Sequence, residues 1–435
     1  MSKPNTEAFN ETKSNFGRLG WRMVVVVSLA FFFNAGIQTD GLNISVPAMA
    51  ELHGWGTAQL LGFSTLAGWV AVLGSIFFGK LTAKIGPRLV MIITLSVLGV
   101  SVILWGRVTA VWQYAAILCV IMSVLNGYVY IAGPALLGNW FPRKKALAMG
   151  WGNMGANAST ALYVPAFTWL VSTRGITTAF TIVGGIVLVI CLYVFFFVKD
   201  YPELMGAFPD NNKELTKADV EKFKEVEEHY KKTSPWTFKK LLTTRQVWQI
   251  GIGGGGVLMM ITVGMLSQFV PRLMSMGYEK VEAVALMSVM AILATPVGYL
   301  VGFISQKLGV KKACMVFYGW TIAALLVGLI PGTIPLYISL FLTAGVIAGS
   351  NDFMITLGLT VFGRYDYASA SSVIMPINSV VRTFGYAIVG VLASRTGGFT
   401  VPYLVLAGCA VVGMLIVATL DDRCIGRGEV QQISK

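Results

Sequence analysis

Apolar residues run along this chain in long blocks separated by short polar breaks. The blocks fall at about 20–45, 57–79, 88–106, 111–138, 146–171 and 177–198, and resume at about 246–271, 281–305, 312–331, 334–360, 369–394 and 400–420. A stretch of about 20 apolar residues is what an α-helix needs to cross the hydrocarbon core of a bilayer. The pattern predicts an all-α integral membrane protein with twelve transmembrane helices in two six-helix pseudo-repeats. The expected organisation is an N-terminal bundle over 1–198, a cytoplasmic linker over 199–245, and a C-terminal bundle with a cytoplasmic tail over 246–435. Within the linker, Lys217 to Lys232 is densely charged, and Val220, Phe223, Val226 and Tyr230 recur at helical spacing. That spacing predicts a short amphipathic helix, lying on the membrane surface or simply solvated, with Trp236 as an interfacial anchor beyond it.

Composition agrees with this picture. The chain is 55% hydrophobic and 12% charged, where a soluble domain carries roughly 25% charged residues. The first 18 or so residues are polar, and no small-residue cleavage site follows, so a signal peptide is not expected. The net charge of +13 is a topology signal rather than the mark of a nucleic-acid partner. One set of alternate loops holds 27 Lys and Arg, and the other holds five. The positive-inside rule then places both termini and the linker in the cytoplasm. The five cysteines show no metal-ligand spacing, and no metal or cofactor is expected. An enzyme is excluded on the same footing. His53 and His229 fall in loops on opposite sides, no His-Glu-x-x-His or nucleophile elbow occurs, and the glycine run Gly251 to Gly256 lacks the Gly-Lys-Ser/Thr of a phosphate loop. Nor is there a selectivity-filter loop or a ring of like charges to indicate a channel.

One loop signature occurs twice. Gly79, Lys84, Gly86 and Arg88 link the second and third blocks, and Gly302, Lys307, Gly309 and Lys311 link the eighth and ninth, 223 residues later. A weaker pair, Gly138 with Arg143 and Gly363 with Arg364, follows at an offset of 225. A duplicated membrane unit of this length is the build of a secondary transporter that holds its substrate between two halves, with these loops as cytoplasmic gates.

The first loop, Gly79-x-x-x-x-Lys84-x-Gly86-x-Arg88, resembles the loop motif of the major facilitator superfamily, and the second resembles its echo in the other half. With the twelve blocks, the resemblance covers essentially the whole chain. The family motif has an acid just before the first basic residue, which helps latch neighbouring helices. Ala83 and Gln306 stand in those places, so the latch does not carry over. Gly36-Ile37-Gln38, and the segment Asn139 to Ala148, are similar to the oxalate/formate exchanger and monocarboxylate transporter branch. That branch implies transport of small organic anions. Its oxalate exchangers use one basic residue in helix eight and one in helix eleven. Arg382 fits the second position, and helix eight has no internal Lys or Arg to fill the first.

Charged residues inside a membrane are functional candidates because each costs about 2.5–3.5 kcal/mol at the bilayer centre on insertion scales. Three stand out: Asp40, Asp352 and Arg382. At 1.5 Å per residue, Arg382 is about 21 Å past Ala368, Asp352 about 18 Å before Arg364, and Asp40 about 28 Å past Trp21. Asp352 and Arg382 are therefore expected at similar depth, either as a charge pair or as the site itself. The Arg382 guanidinium offers a planar fork for a carboxylate, and Asp352 and Asp40 are candidates for proton coupling. With all three ionised the balance is −1, which favours a cation; a protonated carboxyl would restore an anion site. Gln38, Tyr130 and Asn378 are the expected neutral binding residues, among a wider polar set that includes Asn34, Asn153 and Asn157.

The expectation is a monomeric secondary carrier of a small organic anion, a carboxylate, in the cell membrane of a bacterium, working as an exchanger or proton symporter. Its partners would be the solute, protons and the lipid bilayer. The alternatives are a proton-driven exporter of amphipathic or cationic compounds, built on Asp40 and Asp352, and a non-transporting sensor of the same fold.

Overall fold

In the computed structural model, which describes residues 12–212 and 235–426, apolar blocks become long helices. Ten segments among the described residues are long and apolar enough to cross a membrane. One of them, Thr333–Thr396, is two spans: Gly363 interrupts it with φ 65° and ψ 178°, a conformation open to glycine and closed to most other residues. Another helix, Lys145–Arg174, is long enough but too polar to stand with the ten. Together they make the twelve spans of the expected fold. The amphipathic segment from Lys217 to Lys232 lies outside the described residues.

Lipid-facing surfaces carry exposed Leu73, Val189 and Ile334, which belong against acyl chains rather than water. Exposed Trp112, Trp169 and Tyr337 sit near span ends on the side opposite the linker, where amphipathic rings favour the membrane interface.

Several spans change pitch along their length. The first is α-helical over Gly17–Asn34, π-helical over Ala35–Thr39, and continues as Leu42–His53. The fourth runs Val111–Asn126, then π over Gly127–Ala132, then Gly133–Trp140. The seventh has a π stretch over Gln249–Gly256, where the glycine run sits. The tenth is interrupted at Ser350 and Asn351. These are the leading helices of four successive three-span units. Short π segments inside α-helices frequently coincide with functional sites.

The halves meet on the linker side. A methyl group on Gly79 would collide with Ser372 Cβ in the eleventh span, and one on Gly302 would lie 2.7 Å from Ala146 O and 3.0 Å from Gly150 Cα in the fifth. The duplicated loops thus open with glycines at equivalent seams, the second span against the eleventh and the eighth against the fifth. Across the second seam, Trp151 packs between Trp21, edge to face, and a tilted Tyr299, with ring centroids 5.1 and 5.0 Å away.

Candidate functional site

The loop residues hold the linker side of each half together. Gly86 and Gly309 have matching φ of 87° and 86° at the start of the third and ninth spans. Arg88 donates its backbone N–H to Asp200 Oδ1 at 2.7 Å and its guanidinium to Phe195 O at 2.6 Å. In the second copy Lys311 Nζ donates to Leu420 O at 2.7 Å. Each loop is therefore tied to the end of the last helix in its own half, while Lys84 and Lys307 are exposed. Gln306, in the place of the family's acid, donates across the seam to Arg143 O at 2.7 Å.

Two acids of the linker are buried against the linker side of the bundles. Glu203 pairs with Arg364 at 3.2 Å, each side chain 1% exposed. Arg364 also donates to Asn139 O at 3.3 Å and lies over the Tyr365 and Tyr201 rings. This ties the tenth–eleventh junction to the segment following the sixth span. Asp210 accepts from the backbone N–H groups of Arg143 and Lys144 at 3.1 and 2.8 Å. Burial pushes its carboxyl up to about 6, against the opposing pull of those N–H groups and of the Lys144 and Arg143 charges. The loop motif did not point to Glu203 or Asp210. A signal was present: each acid directly follows a proline close behind an apolar block, in Pro202-Glu203 and Pro209-Asp210.

Deeper in the bundle, the structure does not pair Asp352 with Arg382. Asp352 is buried, and neither carboxylate oxygen has a hydrogen-bond partner. Asn153 of the fifth span lies beside it, with its Nδ2 directed to Ala348 O at 2.6 Å. Arg382 is half-buried and forms no ion pair among the described residues. The separation has a geometric cause. The eleventh span starts at the Gly363 break rather than at Ala368, so Arg382 is 18 residues beyond Arg364, about 27 Å along the helix. Asp352 is only about 18 Å from the same end. The two therefore differ in depth by about 9 Å.

The neutral candidates lie in both halves. Tyr130, in the π stretch of the fourth span, receives a hydrogen bond from Asn34 Nδ2 at 3.4 Å, and its carbonyl accepts from Tyr367 OH across the seam at 3.1 Å. Gln38 lies in the π stretch of the first span, its Oε1 buried without a partner. Asn34 Oδ1 and Asn157 Nδ2 are likewise buried and unpartnered. Asn378 is buried beside Gly255 of the seventh span. Asp40 follows the first π stretch and accepts from Thr160 Oγ1 at 2.6 Å.

Thr160 was not among the sequence candidates, yet Asn153, Asn157 and Thr160 are spaced i, i+4 and i+7 and share one face of the fifth span. That face runs from Asp352 at one end to Asp40 at the other, which accounts for the low apolarity of this helix. Tyr128 donates to Val26 O at 2.9 Å and serves packing. Buried Arg272 donates to Tyr403 OH at 3.0 Å and to Gly328 O, joining the outer ends of the seventh, ninth and twelfth spans.

Residues 23–385 match the Major Facilitator Superfamily. The probable sulfoacetate transporter SauU of Cupriavidus necator is 22% identical, over 94% of this chain and 97% of that protein. The hexuronate transporter of Escherichia coli K12 is 23% identical, over 92% and 94%. Among solved structures, the proton:xylose symporter XylE bound to 6-bromo-6-deoxy-D-glucose superimposes with a TM-score of 0.69 at 13% identity, covering 92% of this chain and 95% of that one.

Proposed function

This chain belongs to the major facilitator superfamily, and on that premise we propose that it moves a small organic anion, a carboxylate, across the cell membrane by alternating access. It is a multi-pass membrane transporter and not an enzyme. Arg382 carries this reading: a half-buried guanidinium on the eleventh span that forms no ion pair with a carboxylate among the described residues. Placing such a charge there is costly, and a substrate carboxylate is the partner whose two oxygens match its fork. The sulfoacetate and hexuronate transporters are relatives named for anionic cargo, which supports the same reading.

In this reading the linker side is cytoplasmic, both termini lie there, and bundles 1–198 and 246–435 rock about the site. The Gly79–Ser372 and Gly302–Gly150 seams, the Glu203–Arg364 pair and the loop residues Lys84, Arg88, Lys307 and Lys311 belong to the closed gate of an outward-facing form. Asp352 is the coupling group. It is buried where Asn153 of one half meets Ala348 of the other, so opening the gate uncovers it. Asp40, held by Thr160 toward the outer mouth, is the second protonatable station. Gln38, Tyr130 and Asn378 complete the site.

The test is uptake by proteoliposomes of a carboxylate panel against an amine panel, with and without a pH gradient. Uptake of carboxylates that follows the gradient is the expected result. Uptake of amines alone would replace this reading with the exporter, using Asp40 and Asp352. Specific binding with no accumulation of any solute would make the protein a sensor.

A further inference from the structure

We propose that the substrate is a hydroxylated organic acid, its hydroxyl groups read by the amides of Asn34, Gln38 and Asn157 while Arg382 holds the acid group. This rests on the assignment of Arg382 to the substrate anion. The observation behind it is separate: three side-chain amides on the first and fifth spans each leave a buried oxygen or nitrogen without a hydrogen-bond partner. Asn34 spends Nδ2 on Tyr130 and leaves Oδ1 without a partner. Gln38 leaves Oε1 free, and Asn157 leaves Nδ2 free.

Buried polar groups are nearly always paired, and each one left unpaired costs about 1–3 kcal/mol. Helix packing alone would be served better by leucine or alanine at these places. The oxygen and nitrogen of an amide exchange on a half-turn of the group, so each residue offers both a donor and an acceptor. The ligand group that both gives and takes a hydrogen bond at one atom is a hydroxyl.

The three amides come from two spans that pack against each other. Asn34 and Gln38 are four residues apart where the first span passes from α into π geometry. Asn157 lies on the fifth span, which packs along the first so closely that a methyl group on Gly155 would collide with Ser28 O. Tyr130 reaches Asn34 from the fourth span. These groups carry no net charge, and they come from the half that does not contain Arg382. An acid with an unsubstituted alkyl chain would leave all of them unpaired. A site built on hydrogen bonds to hydroxyls rejects the analogue lacking them strongly, by up to about 10⁴–10⁵.

The test uses the full-length protein in detergent and in proteoliposomes, with two acids of equal carbon number, hexanoate and 2,3,4,5,6-pentahydroxyhexanoate, and the neutral hexitol. The hydroxylated acid should bind at least about 100-fold tighter than hexanoate. Gln38→Leu and Asn157→Leu should each narrow that ratio about tenfold. Arg382→Gln should weaken both acids and leave the ratio in place. If a leucine variant does not assemble, Gln38→Ala and Asn157→Ala give the same readout. Equal binding of the two acids, or a ratio unmoved by folded amide variants, overturns the hydroxyl inference and leaves the anion carrier standing. Binding of the hexitol with neither acid overturns the assignment of Arg382 beneath it, and binding of none of the three overturns both.

Discussion

In the first half, the first, fourth and fifth spans bury Asn34, Asn157 and Tyr130 and half-bury Gln38, all of them neutral. In the second half, the tenth and eleventh spans carry Asp352 and Arg382, neither engaged in an ion pair among the described residues. At the gate the halves match closely. Gly79 and Gly302 make equivalent close approaches, Gly86 and Gly309 share a backbone conformation, and Arg88 and Lys311 each bind the end of a distant helix of their own half. On the proposed mechanism, duplication is kept where the two bundles move against each other and lost where they hold the solute. A rocking motion needs like surfaces on both sides, whereas a small asymmetric solute needs unlike ones.

Perturbations of this division should fall in a definite order. Arg382→Ala should lower uptake of every acid on the order of 100-fold, since a charge-assisted hydrogen-bond pair to the substrate is lost; normal anion uptake by this variant would remove the second half from the site. Gly302→Leu and Gly79→Leu should act alike, each reducing transport more than about tenfold because side-chain atoms cannot enter a seam already in contact. In a cysteine-free background, labelling of Asn153→Cys from the linker side should rise in both. A large effect from one and none from the other would break the symmetry of the gate. Asp352→Asn should retain substrate binding and counterflow exchange while uptake stops responding to a pH gradient, to be read by comparing exchange with gradient-driven uptake.

The smallest effect concerns the linker. The Asp210 carboxyl is raised in the docked state to about 6 from an ordinary 3.8, so docking binds a proton in the interval between those values. Its contribution is therefore full at low pH and lost as pH rises through about 6. Protection of the Arg143 and Lys144 amides against hydrogen exchange, corrected for intrinsic rates, should increase from pH 7 to pH 5. Asp210→Asn should flatten that change.

The sequence was most readable where the bilayer acts as judge. Apolar length and Lys/Arg asymmetry are properties of whole segments, so the twelve spans and the two loop repeats could be read without knowing any contact. Depth along a helix was readable too, but only from a correctly placed start. Taking Ala368 rather than Gly363 as the origin of the eleventh span moved Arg382 by about a turn and paired it with Asp352 on paper. The facing direction of each side chain was not readable at all, because it depends on how spans pack. This is why Asn153 could be noticed but not its bond to Ala348, and why Thr160 went unnoticed beside Asp40. Glu203 was passed over for another reason: in a linker full of charge, nothing marks one glutamate as buried until its arginine is seen.

The π-helical stretches have a consequence for how this protein tolerates change in length. An α-helix turns by about 100° per residue, so one residue inserted or deleted rotates everything beyond it by that angle. A π turn is the form in which a helix absorbs one extra residue without unwinding. Asp40 meets Thr160 only because Ala35–Thr39 sets the phase of the helix beyond it. The glycine run likewise sets the phase of the seventh span after Gly256. The first, fourth and seventh spans are thus each written in two phases, one for packing on the linker side and one for the region beyond. A single-residue deletion within 35–39 would leave apolarity, length and topology untouched while turning the outer part of the first span away from its partners. For these helices the register of the residues matters as much as their identity.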